Sequence, residues 1–459
     1  MTTHAVRFEP LPPGRGTSLI GSLGAPDLAA AGYVEHEVRV SGTARSYTSA
    51  TGGLPTDGRF ELLQDRTAGF ATRIVVRRPA DPARCSGTLV LEWLNVSSGS
   101  DAAPSYGFLG AEIVRRGHVW VGVSAQSAGV ETAPALVEVG GGGITLQGLR
   151  QADPERYGDL HHPGDAFAYD LFTAVARALG DGATGSPVED LDVGRVLAVG
   201  ESQSAYTLTT YANGVQPIEL AVDGFLIHSR GGPAAPLDGP GGRIDLDGGR
   251  ADPPVRIRGD LDVPVLVLET ETDVLGHLDY LPARQSDTDR FRLWEVAGTA
   301  HADRSLIGDF ESVLGCPEPV NRGQQRFVAR AALRWLDAWA AEGPPAPAAE
   351  RLAVLDDGGG PRYGLDDLGN VVGGVRTPCV DVPVDVLSGI APPGANRVCQ
   401  LFGRTVHVPA EELRARYASV DDYLARYTDA TDAAIAAGFV LADDRDEVLA
   451  DARTERITW

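Results

Sequence analysis

Residues 195 to 208 read R-V-L-A-V-G-E-S-Q-S-A-Y-T-L. The apolar run Arg195 to Val199 has the composition of a strand, Gly200-Glu201-Ser202-Gln203-Ser204 turns the chain, and Gln203 to Ala212 carries a helical pattern. A strand, a sharp turn and a helix in that order present a serine at the tip of the turn. The residues two before and two after it must then be small, because both pass close to neighbouring backbone. Gly200 meets this demand, and Ser204, standing where a second glycine is usual, is small enough to serve. G-x-S also occurs at Gly16-Thr17-Ser18 and Gly122-Val123-Ser124, but only Ser202 has an apolar strand directly before it and a plausible helix directly after it. The competing reading of Ser202 is an ordinary helix N-cap.

Around this stretch the chain alternates between two patterns. Thr88 to Leu94, His118 to Val123, Val222 to Ile227, Val263 to Leu268 and Phe291 to Val296 are short and mostly apolar, which suits strands covered on both faces of a parallel sheet. Residues 33 to 50 and Phe70 to Arg78 instead alternate apolar with polar residues and read as an antiparallel start. Between the apolar runs lie helical segments: Asp165 to Leu179, with Phe167, Leu171, Val175 and Leu179 on one face, and Gln324 to Ala341, closed by Gly343-Pro344-Pro345. Strands alternating with helices imply βαβ units. Pro344 to Glu350 reads as a linker, residues 351 to 400 are rich in Gly, Pro and Val, and 410 to 452 read as helical around Leu413, Tyr417, Tyr423 and Leu424. Gly140 to Gly143 lacks the context of a phosphate loop and reads as a flexible loop.

A serine hydroxyl needs a base to take its proton and an acid to orient that base, and after a strand-turn-helix serine these follow in the order acid, then histidine. His301, in R-L-W-E-V-A-G-T-A-H-A-D, follows a strand by a short glycine-containing loop and is the expected base. His228 ends an earlier strand and reads as packed or pocket-lining, His277 follows the acid-bearing loop too closely, and His407 lies outside the sheet segment. The strand before that of His301 runs into E-T-E-T-D-V-L-G, where Asp273 is the chosen acid and Glu271 its competitor. Two backbone N–H groups must face the developing oxyanion. Gln203, next after the serine, supplies one; Asn95 or Val96, in the loop after Thr88 to Leu94, supplies the other.

Composition limits the partners. The chain has 459 residues and a net charge of −23, and all 40 of its basic residues are arginines. Such a surface repels polyanions, so no nucleic-acid partner is expected. No apolar stretch is long enough to span a membrane, and Met1 to Gly21 shows no secretory pattern, so a cytoplasmic location is the expectation. Cys85, Cys316, Cys379 and Cys399 show no C-x-x-C pairing; zinc is not expected, and unpaired thiols are, with a Cys379 to Cys399 bridge as the alternative in an exported protein.

Taken in order, L-V-L-E-W-L-N-V-S-S-G-S-D (89 to 101), Y-G-D-L-H-H-P-G-D-A-F-A-Y-D (157 to 170), V-G-E-S-Q-S-A (199 to 205), E-T-E-T-D-V (269 to 274), G-T-A-H-A-D (298 to 303) and L-G-N-V-V-G-G-V-R-T-P (368 to 378) resemble the α/β-hydrolase superfamily. The resemblance is closest to the group known simply as alpha/beta hydrolase domain proteins, often bacterial. It implies a mostly parallel central sheet flanked by helices, with antiparallel N-terminal strands. It also implies a triad of Ser202, His301 and an acid near Asp273, and a C-terminal cap near the site. On this reading residues 1–345 form the catalytic domain (leading strands 33–80, core 87–342) and 346–459 the cap. Glu201, Tyr157, His161, His162 and His228 are the substrate-pocket candidates. The expected reaction is hydrolysis of a small-molecule carboxylic ester through an acyl-enzyme, with no metal and no organic cofactor. The alternatives are an amidase or acyltransferase on the same triad, or a non-catalytic ligand-binding protein on the same scaffold. Oligomeric state is not legible.

Overall fold

The computed structural model describes residues 5–22, 24–131, 146–239, 242–244 and 252–459; the glycine run at 140–143 lies outside them. The apolar runs become strands of one nine-stranded sheet: β1 (Arg7–Pro10), β2 (Tyr33–Ser49), β3 (Leu62–Pro79), β4 (Thr88–Trp93), β5 (Val119–Val123), β6 (Arg195–Glu201), β7 (Gly224–His228), β8 (Val265–Thr270) and β9 (Phe291–Val296). Their order across the sheet is β1-β2-β3-β5-β4-β6-β7-β8-β9. The pairs from β1 to β5 are antiparallel, and those from β5 to β9 are parallel. β1 had no counterpart in the sequence reading.

The central strands are apolar on both sides because both faces are covered. In β4, Leu89, Leu91 and Trp93 join the core on one face while Val90 joins the core on the other; β6 divides Val196 and Ala198 from Leu197 and Val199 in the same way. The helix Ala168–Gly180 covers the first face, where Trp93 packs on Phe172 with ring centroids 4.9 Å apart. Helices Pro104–Arg116 and Gln325–Ala340 cover the second, with Phe108, Leu333 and Leu336 fully buried there. At the end of β4 the chain needs a fixed turn into Pro104–Arg116, and buried Glu92 provides it. Its carboxylate accepts the N–H groups of Ser105 and Tyr106 at the helix start and that of the Trp120 ring.

Residues 344–350, read as a linker, run against the sheet edge: Trp294 Nε1 donates to Pro347 O at 2.8 Å and Arg292 Nε to Ala346 O at 2.7 Å. Val375 then adds a parallel bridge to Val296 of β9. Two small ladders flank this bridge in the chain, β10 (Val354–Asp356) with β11 (Pro361–Tyr363) before it and β12 (Asp385–Ser388) with β13 (Arg404–His407) after it. The expected C-terminal helices include Val420–Ala436, whose Tyr423 and Tyr427 share a core with Phe327 of Gln325–Ala340. No helix among the described residues is long and apolar enough to cross a membrane.

The cysteine expectation is corrected. Cys316 and Cys399, with Cα atoms 5.5 Å apart, form a disulfide, whereas Cys85 and Cys379 are free. Connectivity follows from how the cover of the site folds back on itself, which spacing does not encode. A bridge closing a loop of 83 residues contributes about 4.5 kcal/mol in the loop-entropy picture.

Candidate active site

β6 ends at Glu201, and Ser202 stands at φ 59° and ψ −121° before the helix Gln203–Thr210. A positive φ at a residue with a Cβ costs about 1–3 kcal/mol and persists only where the surroundings enforce it. Here Ser202 N–H donates to His228 O at 3.0 Å, and the N–H groups of Ala205 and Tyr206 return to Ser202 O. The Ser202 side chain makes no capping bond to its helix, so the N-cap reading is not what the structure shows. A Cβ on Gly200 would lie 2.9 Å from Leu208 Cδ1 and 3.0 Å from Ser204 Cβ, which explains why the residue two before the serine is glycine. Ser204 is buried and its Oγ has no hydrogen-bond partner among the described residues; its small size is what the turn uses.

The loop after β9 carries His301, and the helical turn Glu271–Leu275 after β8 carries Asp273. Thr270 N–H and Oγ1 both donate to Asp273 Oδ2 at 2.7 Å, which leaves Oδ1 facing His301 Nδ1, also at 2.7 Å. A carboxylate only accepts, so Nδ1 holds the proton, and Nε2 of the neutral ring accepts from Ser202 Oγ at 2.8 Å. Burial opposes ionisation of Asp273, but the His301 ring and the hydrogen bonds from His301 and Thr270 together hold its carboxyl below the usual range. Glu271 serves elsewhere: its carboxylate accepts Gly298 N–H at 2.6 Å and Gly389 N–H at 2.8 Å, tying the histidine loop to the C-terminal segment. Burial pushes its carboxyl up to about 7.

Glu201 Oε1 lies 3.4 Å from His301 Nε2, the nitrogen that faces the serine. Burial raises this carboxyl to about 7, with His301 acting against the rise and Asp273 adding to it. On the opposite side, the loop after β4 is pinned by reciprocal bonds between Asn95 and Ala102. Asn95 N–H is therefore already committed, and its Nδ2 donates to Glu201 O at 3.1 Å; Val96 N–H donates to no described group. Of the two expected donors in this loop, only Val96 is available. Gln203 N–H, in the first turn of its helix, has no intrahelical acceptor.

Ser202 and His301 open into a cavity of about 280 Å³ whose walls include Leu278, Leu306, Ile307, Phe310, Leu401 and Phe402. Sequence reasoning missed these walls. Leu306 and Ile307 sit on Arg304–Ile307, Phe310 on the turn Gly308–Phe310 and Leu401 and Phe402 on Arg397–Phe402, pieces too brief to show a period, while Leu278 lies outside any helix; the disulfide from Cys316 to Cys399 ties the chain just after these turns to the last helix. His277, set aside as a base, also lines the cavity. Of the pocket candidates only Glu201 is there. The others are corrected as follows. Tyr157 donates to Glu37 Oε1 at 2.7 Å, the backbone of exposed His161 pairs with Ala71 of β3, and buried His162 places Nε2 2.8 Å from Ala125 O. The segment 157–162 folds toward the antiparallel side of the sheet instead of over β6. His228 is buried against Phe108, and burial pushes its imidazole down to about 4, so it is neutral and contributes its carbonyl to the turn.

A mostly parallel sheet entered through antiparallel strands, with a strained serine after β6, an acid after β8 and a histidine after β9, defines the α/β-hydrolase fold. The family model described as "Alpha/beta hydrolase domain" matches residues 7–450, and the chain belongs to that family of hydrolases. No curated protein matches it. Solved structures similar to it include an esterase of the fungus Rhizomucor miehei, at 13% identity over 68% of this chain and 85% of that one with a TM-score of 0.34. A dienelactone hydrolase assigned in Klebsiella pneumoniae is similar at 13% identity over 65% and 99%, TM-score 0.34. A thermostable esterase from Pseudomonas putida is similar at 12% identity over 54% and 66%, TM-score 0.26.

Proposed function

We propose that the protein is a serine hydrolase that cleaves a carboxylic ester through an acyl-enzyme on Ser202. The observation that carries this reading is the unbroken hydrogen-bond chain from Ser202 Oγ through both nitrogens of His301 to Asp273. His301 Nε2 takes the serine proton as Oγ attacks the carbonyl carbon, and Asp273 stabilises the imidazolium so formed. The tetrahedral oxygen is held by Gln203 N–H and Val96 N–H. His301 returns the proton to the leaving alcohol; water, activated the same way, then releases the acid. Residues 346–459 act as the cap, contributing the wall Arg397–Phe402.

The apolar walls and modest volume point to an ester with an uncharged, medium-sized apolar group. Each methylene buried against such walls is worth about 0.8 kcal/mol, so across p-nitrophenyl acyl esters kcat/KM rises roughly fourfold per methylene from acetyl until the cavity is full. A fall from acetyl onward would overturn the apolar-acyl assignment, and no turnover on any ester would overturn the esterase reading.

Ionised Glu201 stabilises the imidazolium at its 3.4 Å distance. Its carboxyl is protonated well below pH 7 and charged well above it. Glu201→Gln therefore matches wild type at about pH 5 and loses about tenfold in kcat/KM at about pH 8, tenfold being one pH unit of differential interaction. A uniform loss at every pH would contradict this role.

A further inference from the structure

A second cavity, of about 420 Å³, lies between the C-terminal helices and the start of Gln325–Ala340. On a chain of net charge −23 its lining is rich in arginine: Arg304, Arg322, Arg326, Arg330 and Arg453 stand against three carboxylates, Asp385, Glu447 and Asp451. Four of the five are matched by carboxylates. Arg304 pairs with Asp309 and Glu311, Arg326 with Asp451 and Glu447, Arg330 with Asp444 and Glu447, and Arg453 with Asp385 and Glu455. Arg322 has no ion pair or hydrogen bond among the described residues.

We propose that this cavity is a ligand site for a small oxyanion of the phosphate or carboxylate type, held by Arg322 with Arg304 and Arg453 nearby. A guanidinium presents parallel N–H groups that match the two oxygens of either anion, and among the lining arginines Arg322 alone has all of its donors uncommitted among the described residues. Desolvation and the positive charges of Arg453 and Arg304 pull its guanidinium below the usual range, offset in part by Asp385 and Glu311, and a bound anion opposes that pull. The site is separate from the serine but shares a wall with it: Arg304, Ser305 and Gly308 face this cavity, while Leu306 and Ile307 face the cavity of Ser202. Gln325, beside the lining residue Gln324, donates to Ala300 O next to His301.

Calorimetric titration of the full chain with inorganic phosphate, and separately with butyrate, at constant ionic strength in chloride, tests this. Wild type and Ser202→Ala bind at least one of the two saturably at one site per chain, and Arg322→Gln binds it at least about tenfold more weakly. Arg322 makes no ion pair or hydrogen bond among the described residues, so this variant removes no described contact and folds as wild type does, which an unchanged Tm checks. Phosphate binding identifies a phosphate ligand; butyrate binding alone identifies a carboxylate such as an ester hydrolysis product. No saturable binding of either anion, equal binding by Arg322→Gln, or loss of binding in Ser202→Ala would overturn the proposal.

Discussion

Ser202→Ala is expected to lower kcat toward an activated ester by about 10⁶-fold, the scale seen when the serine of a triad is removed. The mechanism gives no substitute nucleophile. Ser204 Oγ is buried within the turn, and the hydroxyl of Ser97 is committed to Asn95 Oδ1 at 2.7 Å. What remains is the slow attack of water on an ester polarised by Gln203 and Val96. Stability should change by less than about 1 kcal/mol, since alanine keeps the Cβ and with it the strain at φ 59°, and Ser202 makes no cap bond to lose. A large rate loss with an unchanged Tm, measured by steady-state kinetics and thermal unfolding, separates chemistry from folding.

The second large effect falls on the acid. Asp273→Asn should lower kcat by about 10⁴-fold, because the amide can present its N–H₂ to His301 and stabilise the tautomer with the proton on Nε2, which cannot accept from the serine. Glu271→Gln leaves the hydrogen-bond chain untouched and so retains most of kcat. It exchanges one of two accepted N–H bonds, from Gly298 and Gly389, for a clash of donors, and should cost about 1–3 kcal/mol of stability. The two residues stand two apart on one helical turn, yet their variants should separate cleanly, one in rate and the other in Tm. The opposite pattern would make Glu271 the acid.

Much of the candidate site's geometry was legible because each of its parts sits at the end of an apolar run. Ser202, Asp273 and His301 follow β6, β8 and β9, and a parallel sheet gathers the ends of its strands at one edge whatever the helices between them do. The acid stayed open between Asp273 and Glu271 since a shift of two residues along one turn decides which carboxylate faces the ring; with the bonds from Thr270 and Gly389 in place it is Asp273 that does. Tyr157, His161 and His162 misled for a different reason. Their residue types suit a pocket, but their segment pairs with β3 at Ala71, and the direction in which a long connection folds is not written in its composition. The cover over the serine, with its disulfide, and the ladders β10–β11 and β12–β13 are built from pieces of three to six residues, below the length at which periodicity speaks.

Labelling of the folded chain with a fluorophosphonate probe, read by intact mass and peptide mapping, tests the central claim most directly. The account predicts one adduct per chain, on Ser202, and none in Ser202→Ala. A folded wild-type chain that takes up no probe, or an adduct that persists in Ser202→Ala, would contradict it.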